Sequence, residues 1–441
     1  MEKGILRTKK SLKSAVLLCL IGVMLITSCS KDDEPVLIPK ISGITPVSGP
    51  KRTIVSIDGT DFGTDSSTLQ VFFNGVEAEV QAVKNTQIMA VVPPRAFTGV
   101  VKVISDGKTL TGPEFTYTIS DVQVTTYAGS TKGATNGTKN SAQFNSPKDM
   151  TIDIRGNIYV ADLGNHRIRK ITPSGIVSTV AGTTEGFEDG PARNAKFSFP
   201  EGIAVDRKGN IYVADTYNHK IRKINSFGLV STLAGSTPGF ANGTGSAAQF
   251  MFPAGVAIDS KNNIIVTDQN ERIRKITPAG EVSTIAGSSI FGFADGIGTN
   301  AKFNGLSGIA IDSEDNIYVV DIGNSKIRKI TPSGEVSTLA GSTSGYADGK
   351  GAVAQFYFEE YVGLTVDVQG NIYVVDINNN KIRKITPSGR VSTLAGSAEG
   401  FTNGIGNVAQ FSYPSGVVVN KQRTVFVVDG GNHRIRKITQ E

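Results

Sequence analysis

The chain has 441 residues, enough for more than one domain, and contains two cysteines, three histidines and no tryptophan. Its 45 basic residues outnumber its 39 acidic ones, but five basic and one acidic residue fall in the first 28 positions, so the remainder has a net charge of only +2. The positive charge therefore cannot by itself support nucleic-acid binding, and no nucleic-acid partner is predicted.

The N-terminus has the layout of a secretory signal. Five basic residues precede an apolar stretch from Ala15 to Ile26, which Thr27, Ser28 and Cys29 follow. The stretch is too short to span a bilayer as a helix, which takes roughly 20 residues; an uncleaved N-terminal anchor is the alternative. The pattern predicts a signal peptide over residues 1–28 and lipid modification of Cys29 at a lipobox-like site.

Residues 29–39 are predicted to be a tether. The run Ser30-Lys31-Asp32-Asp33-Glu34 resembles the acidic export signal of surface lipoproteins in Bacteroidota. This resemblance implies an outer-membrane protein that faces the exterior and meets the membrane only through the lipid on Cys29. The other cysteine, Cys19, lies within the signal, so the mature chain has no thiol for a disulfide, a metal or catalysis.

Residues 40–119 are predicted to form a small β-sandwich, because short alternating strands are separated by Gly and Pro without helical periodicity. Four motifs resemble those of the IPT/TIG domain, an immunoglobulin-like fold. They are Ile44-Thr45-Pro46 with Gly49, Ile57-Asp58-Gly59-Thr60-Asp61-Phe62-Gly63, Val71-Phe72-Phe73-Asn74-Gly75-Val76-Glu77-Ala78 and Val91-Val92-Pro93. We expect a pedestal or spacer, since the sequence marks no site there. A direct ligand-binding role is the alternative.

Residues 122–441 contain a repeat of about 53 residues that occurs six times. Each copy has four short strands rich in Val, Ile and Tyr, joined by tight turns, with one long link to the next copy. The I-R-K-I element marks the copies at Ile168, Ile221, Ile273, Ile327, Ile382 and Ile435. The sequence predicts an all-β chain in which an Ig-like sandwich precedes a six-bladed propeller. Val124 to Gly129 should close the ring as the outer strand of the last blade.

The G-N-I-Y-V-A-D and N-H-R/K-I motifs of this region resemble the NHL repeat. Three copies carry its histidine, at His166, His219 and His433, and the others have Glu271, Ser325 and Asn380 instead. The resemblance implies a binding scaffold, with enzymes a minority among its relatives. Fold alone does not establish either function.

Several repeated residues could be functional or structural. The histidines are too widely spaced for one zinc ion, so we expect them to be turn residues that hydrogen-bond their own blades, and no metal or cofactor is predicted. Each Arg of the I-R-K-I elements is expected to pair with the Asp that ends the second strand, or to lie on a solvated edge. The A-x-F phenylalanines after each link are either aromatic platforms or plugs between blades, and repetition favours plugs: Phe144, Phe197, Phe250, Phe303, Phe356 and Phe411.

Differences between the copies indicate where a single asymmetric site could lie. Such differences occur on the face that carries the turn after the second strand and the long links, where binding residues usually sit. The binding candidates are Lys148, Glu201, Tyr217, Glu360, Tyr361 and Tyr413. Neutral drift is the alternative explanation of the same differences.

Together these features predict a non-catalytic surface lipoprotein that binds an extracellular glycan or a protein partner in nutrient capture. The absence of tryptophan leaves stacking on sugars to Tyr and Phe. The alternative is a propeller enzyme of the lyase or lactonase type, with Glu201 or Glu360 as acid or base beside a metal.

Overall fold

Two β units follow one another along the chain in the computed structural model, which describes residues 38–105, 107–118 and 122–440. The predicted signal peptide, Cys29 and most of the tether lie outside the described residues. The all-β fold class is confirmed, since the helices in the described ranges are single 3₁₀ turns. These turns are Ser66–Thr68, Leu163–Asn165, Thr216–Asn218, Gly245–Ala247, Gly298–Asn300, Ile322–Asn324, Gly351–Val353 and Ile377–Asn379.

The N-terminal unit is the predicted Ig-like fold. Its strands are Lys40–Thr45, Ser48–Gly49, Ile54–Thr60, Leu69–Phe73, Val76–Lys84, Gln87–Val91, Gly99–Ser105 and Lys108–Tyr117. Alternate residues point inward, so that Val55 and Ile57 are fully buried in one strand and Val71 and Phe73 in another. The ring of Phe73 packs edge-on against Phe115 at 5.1 Å, which places the core between the strands.

The C-terminal unit is a propeller of six antiparallel blades. From the innermost strand outward, the blades comprise Asp149–Ile152, Ile158–Asp162, Arg167–Ile171 and Val177–Ala181 (blade 1); Pro200–Val205, Ile211–Asp215, Lys220–Ile224 and Leu229–Ala234 (blade 2); Pro253–Ile258, Ile264–Asp268, Arg272–Ile276 and Glu281–Gly287 (blade 3); Leu306–Ile311, Ile317–Asp321, Lys326–Ile330 and Glu335–Ala340 (blade 4); Leu364–Val366, Ile372–Asp376, Lys381–Ile385 and Arg390–Ala395 (blade 5); and Pro414–Val419, Val425–Asp429, Arg434–Thr439 and Gln123–Ala128 (blade 6). Short link strands pair with the outermost strands of blades 2 to 6: Gly190–Pro191, Gly243–Thr244, Gly296–Ile297, Gly349–Lys350 and Gly404–Ile405.

The second strand of every blade is buried at all five positions, because neighbouring blades cover both of its faces. This explains why the second strands read as continuous apolar runs ending in Asp instead of alternating. The ring closes as predicted: Gln123–Ala128 pairs antiparallel with Arg434–Thr439, with Val124 opposite Ile438. Hydrogen bonds between the two ends of the propeller therefore seal the ring.

Each blade contains a buried ion pair between the Asp that ends its second strand and the Arg of its I-R-K-I element. The six pairs have N–O distances of 2.5–2.8 Å, and both side chains of every pair are fully buried: Asp162–Arg169, Asp215–Arg222, Asp268–Arg274, Asp321–Arg328, Asp376–Arg383 and Asp429–Arg436. The same guanidinium donates to two link carbonyls, as Arg328 does to Lys302 and Ala294. The ion pair therefore joins the strands of a blade to the link that precedes it.

The A-x-F phenylalanines are plugs, as the sequence favoured. All six rings are fully buried, and each lies 5.0–5.3 Å from the guanidinium of the ion-paired Arg, as Phe303 does from Arg328. A second aromatic set in the links also contacts these guanidinium groups and stays about half exposed, as Phe293 does at 4.9 Å from Arg328. Burial of one phenylalanine ring stabilises a fold by roughly 1.5–3 kcal/mol.

The N-terminal unit contacts blades 5 and 6 on the face opposite the long links. Phe97 is 7% exposed and lies between two cations, with its ring centre 4.6 Å from Nζ of Lys384 and 4.0 Å from the guanidinium of Arg423. Arg423 is in the turn between the first two strands of blade 6, and Lys384 is near the end of the third strand of blade 5. We call the face of the propeller that carries these turns, opposite the long links, the bottom face.

We expect Asp321→Ala to destabilise the propeller by about 3–5 kcal/mol, because it leaves the Arg328 charge buried without its inner partner. The matched variant Asp295→Ala removes the other carboxylate on the same guanidinium, which is 47% exposed, and should cost under about 1 kcal/mol. Urea denaturation monitored by circular dichroism measures the free energy of unfolding of both variants. Equal losses for the two variants would contradict this account of the ion pair.

Candidate functional site

The top face of the propeller, which carries the long links and the turns after the second strands, holds the predicted candidates. The histidine turns there adopt left-handed backbone, with φ of 52° at His166 and 55° at His219. The expectation that these histidines bond their own blades is wrong. Nδ1 of His166 accepts the backbone N–H of Phe199 in the next blade, and Nδ1 of His219 accepts that of Phe252. They reach across because the turn projects beyond the sheet toward the next blade.

In two of the three copies without histidine, another side chain performs the same inter-blade role. Oε2 of Glu271 accepts the N–H of Gly305 at 2.8 Å, and Oδ1 of Asn380 accepts that of Tyr413 at 3.3 Å. His433 completes the pattern by accepting from Ser146 across the closure of the ring. An acceptor of suitable length is sufficient at this position, which explains why the repeat tolerates Glu and Asn there.

A ring of close backbone contacts surrounds the central channel where the innermost strands begin. Five blades have glycine at this position, and a Cβ on each would lie 2.1–2.9 Å from the next blade: Gly202, Gly255, Gly308, Gly363 and Gly416. Blade 1 has Asp149 instead. Its carboxylate accepts hydrogen bonds from Tyr361 Oη at 2.8 Å and from the N–H of Ile203 at 3.4 Å. Blade 1 therefore presents an acidic side chain where the others allow none.

Tyr361 reaches Asp149 because blade 5 has a longer loop before its innermost strand. Six residues lie between Phe356 and Gly363, whereas four lie between the corresponding residues of the other blades. The innermost strand itself shortens to Leu364–Val366. The same loop carries Glu360, whose carboxylate lies 3.3 Å from Nζ of Lys148. The insertion thus brings two blade 5 side chains to the first residues of blade 1.

Glu201 joins these residues at the channel mouth. Burial raises its pKa to about 7; the charge of Lys148 opposes this shift, and those of Asp149 and Glu360 add to it. Burial likewise raises the pKa of Asp149 to about 6, against the hydrogen bond from Tyr361. Four of the six predicted candidates, namely Lys148, Glu201, Glu360 and Tyr361, therefore share one site with Asp149.

Tyr217 belongs to a different part of the top face. Its side chain is 57% exposed and lies between Phe199 and Phe252, with ring centres 4.8 and 5.5 Å away. His166 and His219 extend this row at its two ends, at 4.7 and 4.6 Å from the phenylalanines. We call these five side chains the aromatic row.

The remaining candidate, Tyr413, is 54% exposed in blade 6. Its position corresponds to those of Phe199 and Phe252, but its backbone N–H donates to Asn380 and its ring does not belong to the aromatic row. Sequence reasoning missed Asp149, Phe199 and Phe252 as site residues. Asp149 could have been found because it replaces a glycine that recurs in five copies.

Within the described ranges, no three His, Cys, Asp or Glu side chains are grouped so that they could hold a metal ion. Over the same ranges, no helix is long and apolar enough to cross a membrane.

Comparisons with known proteins identify both units. Residues 39–119 match the IPT/TIG domain, and residues 144–171, 197–224 and 411–438 match the NHL repeat. The chain therefore combines an IPT/TIG domain with an NHL-repeat propeller. The three matched repeats are those that carry the histidines.

The chain is similar to Protein SUPPRESSOR OF QUENCHING 1, chloroplastic, of Arabidopsis thaliana, with 30% identity over 325 residues that cover 66% of this chain and 30% of the relative. It spans less than half the length of the curated relatives it matches first. Two solved Bacteroides thetaiotaomicron structures each align over 92% of this chain and 99% of their own. One, of unknown function, has 24% identity and a TM-score of 0.60. The other, an auxiliary nutrient binding protein, has 19% identity and a TM-score of 0.57. At these identities the likeness shows the shared fold.

The raised pKa of Glu201 predicts a pH-dependent effect of Glu201→Gln. Between about pH 4.5 and 7 the folded chain keeps a proton on Glu201 that the unfolded chain loses. Glu201 therefore lowers the free energy of unfolding as the pH rises through this range, by up to about 3 kcal/mol. The Gln variant should therefore gain stability over the parent at pH 8 but not at pH 4.5. Urea midpoints at both values measure this difference.

The control is Glu335→Gln, which removes an exposed carboxylate at the bottom face and should change the free energy of unfolding by no more than about 0.5 kcal/mol. An equal effect of Glu201→Gln at pH 4.5 and pH 8 would show that the pKa of Glu201 is not raised in the folded chain.

Proposed function

We propose that this chain is a lipid-anchored protein of the outer membrane, facing the exterior, that captures an extracellular glycan or surface protein on the top face of its propeller. In this proposal residues 1–28 are removed, Cys29 carries the lipid, residues 29–39 form a tether, and residues 40–119 act as the pedestal. Capture serves nutrient uptake and requires no cofactor or nucleic acid.

The observation that carries this proposal is the division of roles between repeated and unrepeated residues. The repeated Arg, Asp and Phe side chains are buried within the scaffold. The residues that break the repeat gather on the top face, at the channel mouth and in the aromatic row. A rigid scaffold with one irregular, partly aromatic face suits selective binding.

The position of the pedestal supports the same proposal. Phe97 holds the N-terminal unit against the bottom face, through Lys384 and Arg423. An anchor that precedes this unit would leave the top face directed away from the membrane. The similarity to an auxiliary nutrient binding protein agrees with a capture role.

The test is a glycan array, together with cross-linking capture from the surface proteins of the producing bacterium, using the chain from residue 30. We expect specific binding that falls at least about tenfold, or 1.4 kcal/mol, in Glu360→Ala and in Tyr361→Ala. Phe227→Ala, which removes a 94% exposed ring at a bottom-face turn, should bind like the parent. Absence of any ligand, or equal binding by all variants, would reject the proposal.

An enzymatic function is the second candidate, and one observation favours it. Glu201 and Asp149 have pKa values raised toward neutrality beside the Tyr361 hydroxyl, which suits general acid–base catalysis. A lyase or lactonase would release product from a captured ligand, and Glu201→Gln would abolish release while binding persists. Mass spectrometry of the ligand after incubation separates the two functions, since a capture protein returns it intact.

A further inference from the structure

Besides the channel mouth, the top face carries the aromatic row of His166, Phe199, Tyr217, Phe252 and His219. The successive ring centres lie 4.7, 4.8, 5.5 and 4.6 Å apart, so the rings form one continuous strip across blades 1 to 3. Tyr217, the middle ring, is 57% exposed, and the other four are partly exposed. Exposed aromatic strips of this kind mark binding surfaces more often than chance exposure of single residues does.

The two phenylalanines occupy a position that does not require them. Phe199 and Phe252 have φ of 48° and 45°, a left-handed conformation that bulky residues rarely adopt. The corresponding residue of blade 4 is Gly305, which adopts φ of 79° without a side chain to accommodate. Backbone geometry alone would therefore favour glycine in blades 2 and 3, and the rings there serve another purpose.

The row is uncharged but keeps polar atoms at its ends. Burial lowers the pKa of both His166 and His219, so the imidazoles are neutral at pH 7. Nδ1 of each accepts a backbone N–H, which places the proton on Nε2 and leaves Nε2–H as a donor. Phe199 also precedes Glu201 by only two residues, so the row lies beside the hydrogen-bond acceptors of the channel mouth at Phe199.

We infer that the aromatic row is a platform for the pyranose rings of a neutral glycan chain, which runs from Tyr217 toward the carboxylates of the channel mouth. This inference rests on the proposed capture function and narrows its ligand. Sugar rings present C–H faces to aromatic rings and hydroxyls to the imidazole and carboxylate groups. The carboxylates disfavour acidic polysaccharides. The five side chains of the row are far fewer than the roughly 20–30 residues that each partner contributes to a stable protein interface.

The chain provides an internal control for this inference, because it has three histidines in all. His433 occupies the same turn as His166 and His219, and its Nδ1 accepts the N–H of Ser146. No aromatic residue stands at that position in blade 1. Imidazole NMR signals, assigned with His→Gln variants, therefore report separately on the row and on an equivalent turn outside it.

The experiment titrates histidine-labelled protein with oligosaccharides from cellulose, xylan, mannan, starch and β-1,3-glucan at up to millimolar concentration. We expect at least one to shift the His166 and His219 signals while His433 stays unchanged. Tyr217→Ala should weaken that binding at least tenfold, whereas Phe227→Ala should not. Because Tyr217 is exposed, its removal should leave the melting temperature close to that of the parent.

Four outcomes would overturn the inference. Sugar binding that leaves His166 and His219 unshifted, or that survives Tyr217→Ala, would place the glycan elsewhere on the protein and leave the capture function standing. Capture of a surface protein without any binding of these sugars would likewise reject the platform alone. Failure of both the sugars and the surface proteins to bind would reject the platform and the capture function together.

Discussion

The buried Arg–Asp pair is the interaction on which the propeller is built. In blade 4, Arg328 binds Asp321 of the second strand, two carbonyls of the preceding link and the exposed Asp295. The rings of Phe303 and Phe293 both lie about 5 Å from its guanidinium. One side chain thus joins a blade, its link and the aromatic plug beside it. Removing a single partner from such a buried pair costs far more than the pair itself contributes, which accounts for its presence in all six blades.

This arrangement determines where function can lie. The repeated Arg, Asp and Phe side chains are fully buried within the scaffold, so they are not available to a ligand. Asp149 and Tyr361 are different, because each arises where one blade departs from the others: a carboxylate in place of a glycine, and a two-residue insertion. Their hydrogen bond joins blades 1 and 5 at the channel mouth and creates asymmetry in a nearly symmetric ring.

The top face therefore combines two kinds of surface. The channel mouth offers carboxylates, a lysine and a tyrosine hydroxyl, and burial raises the pKa of Asp149 to about 6 and that of Glu201 to about 7. The aromatic row offers uncharged rings beside it. The chain from Phe199 to Glu201 connects the two, so a ligand long enough to reach both could be held by stacking at one end and by hydrogen bonds at the other.

Repetition made much of the fold predictable from the sequence. Six copies with an offset register determined the six blades and the closure by Gln123–Ala128, since a strand missing at one end of a ring can only be supplied by the other. The burial of Phe144 and its equivalents followed from the same periodicity. The positions that break the repeat, including Glu360 and Tyr361, were also visible in the sequence.

Only the tertiary structure decided which of these positions meet. Tyr361 and Asp149 are 212 residues apart, and their contact depends on the path of one loop over the channel. The histidines bond to the next blade and not their own, and Tyr217 joins a row that crosses three blades. Such contacts lie between non-equivalent loops, where no sequence period applies, so the local pattern determined the scaffold while the packing of blades around the axis determined the site.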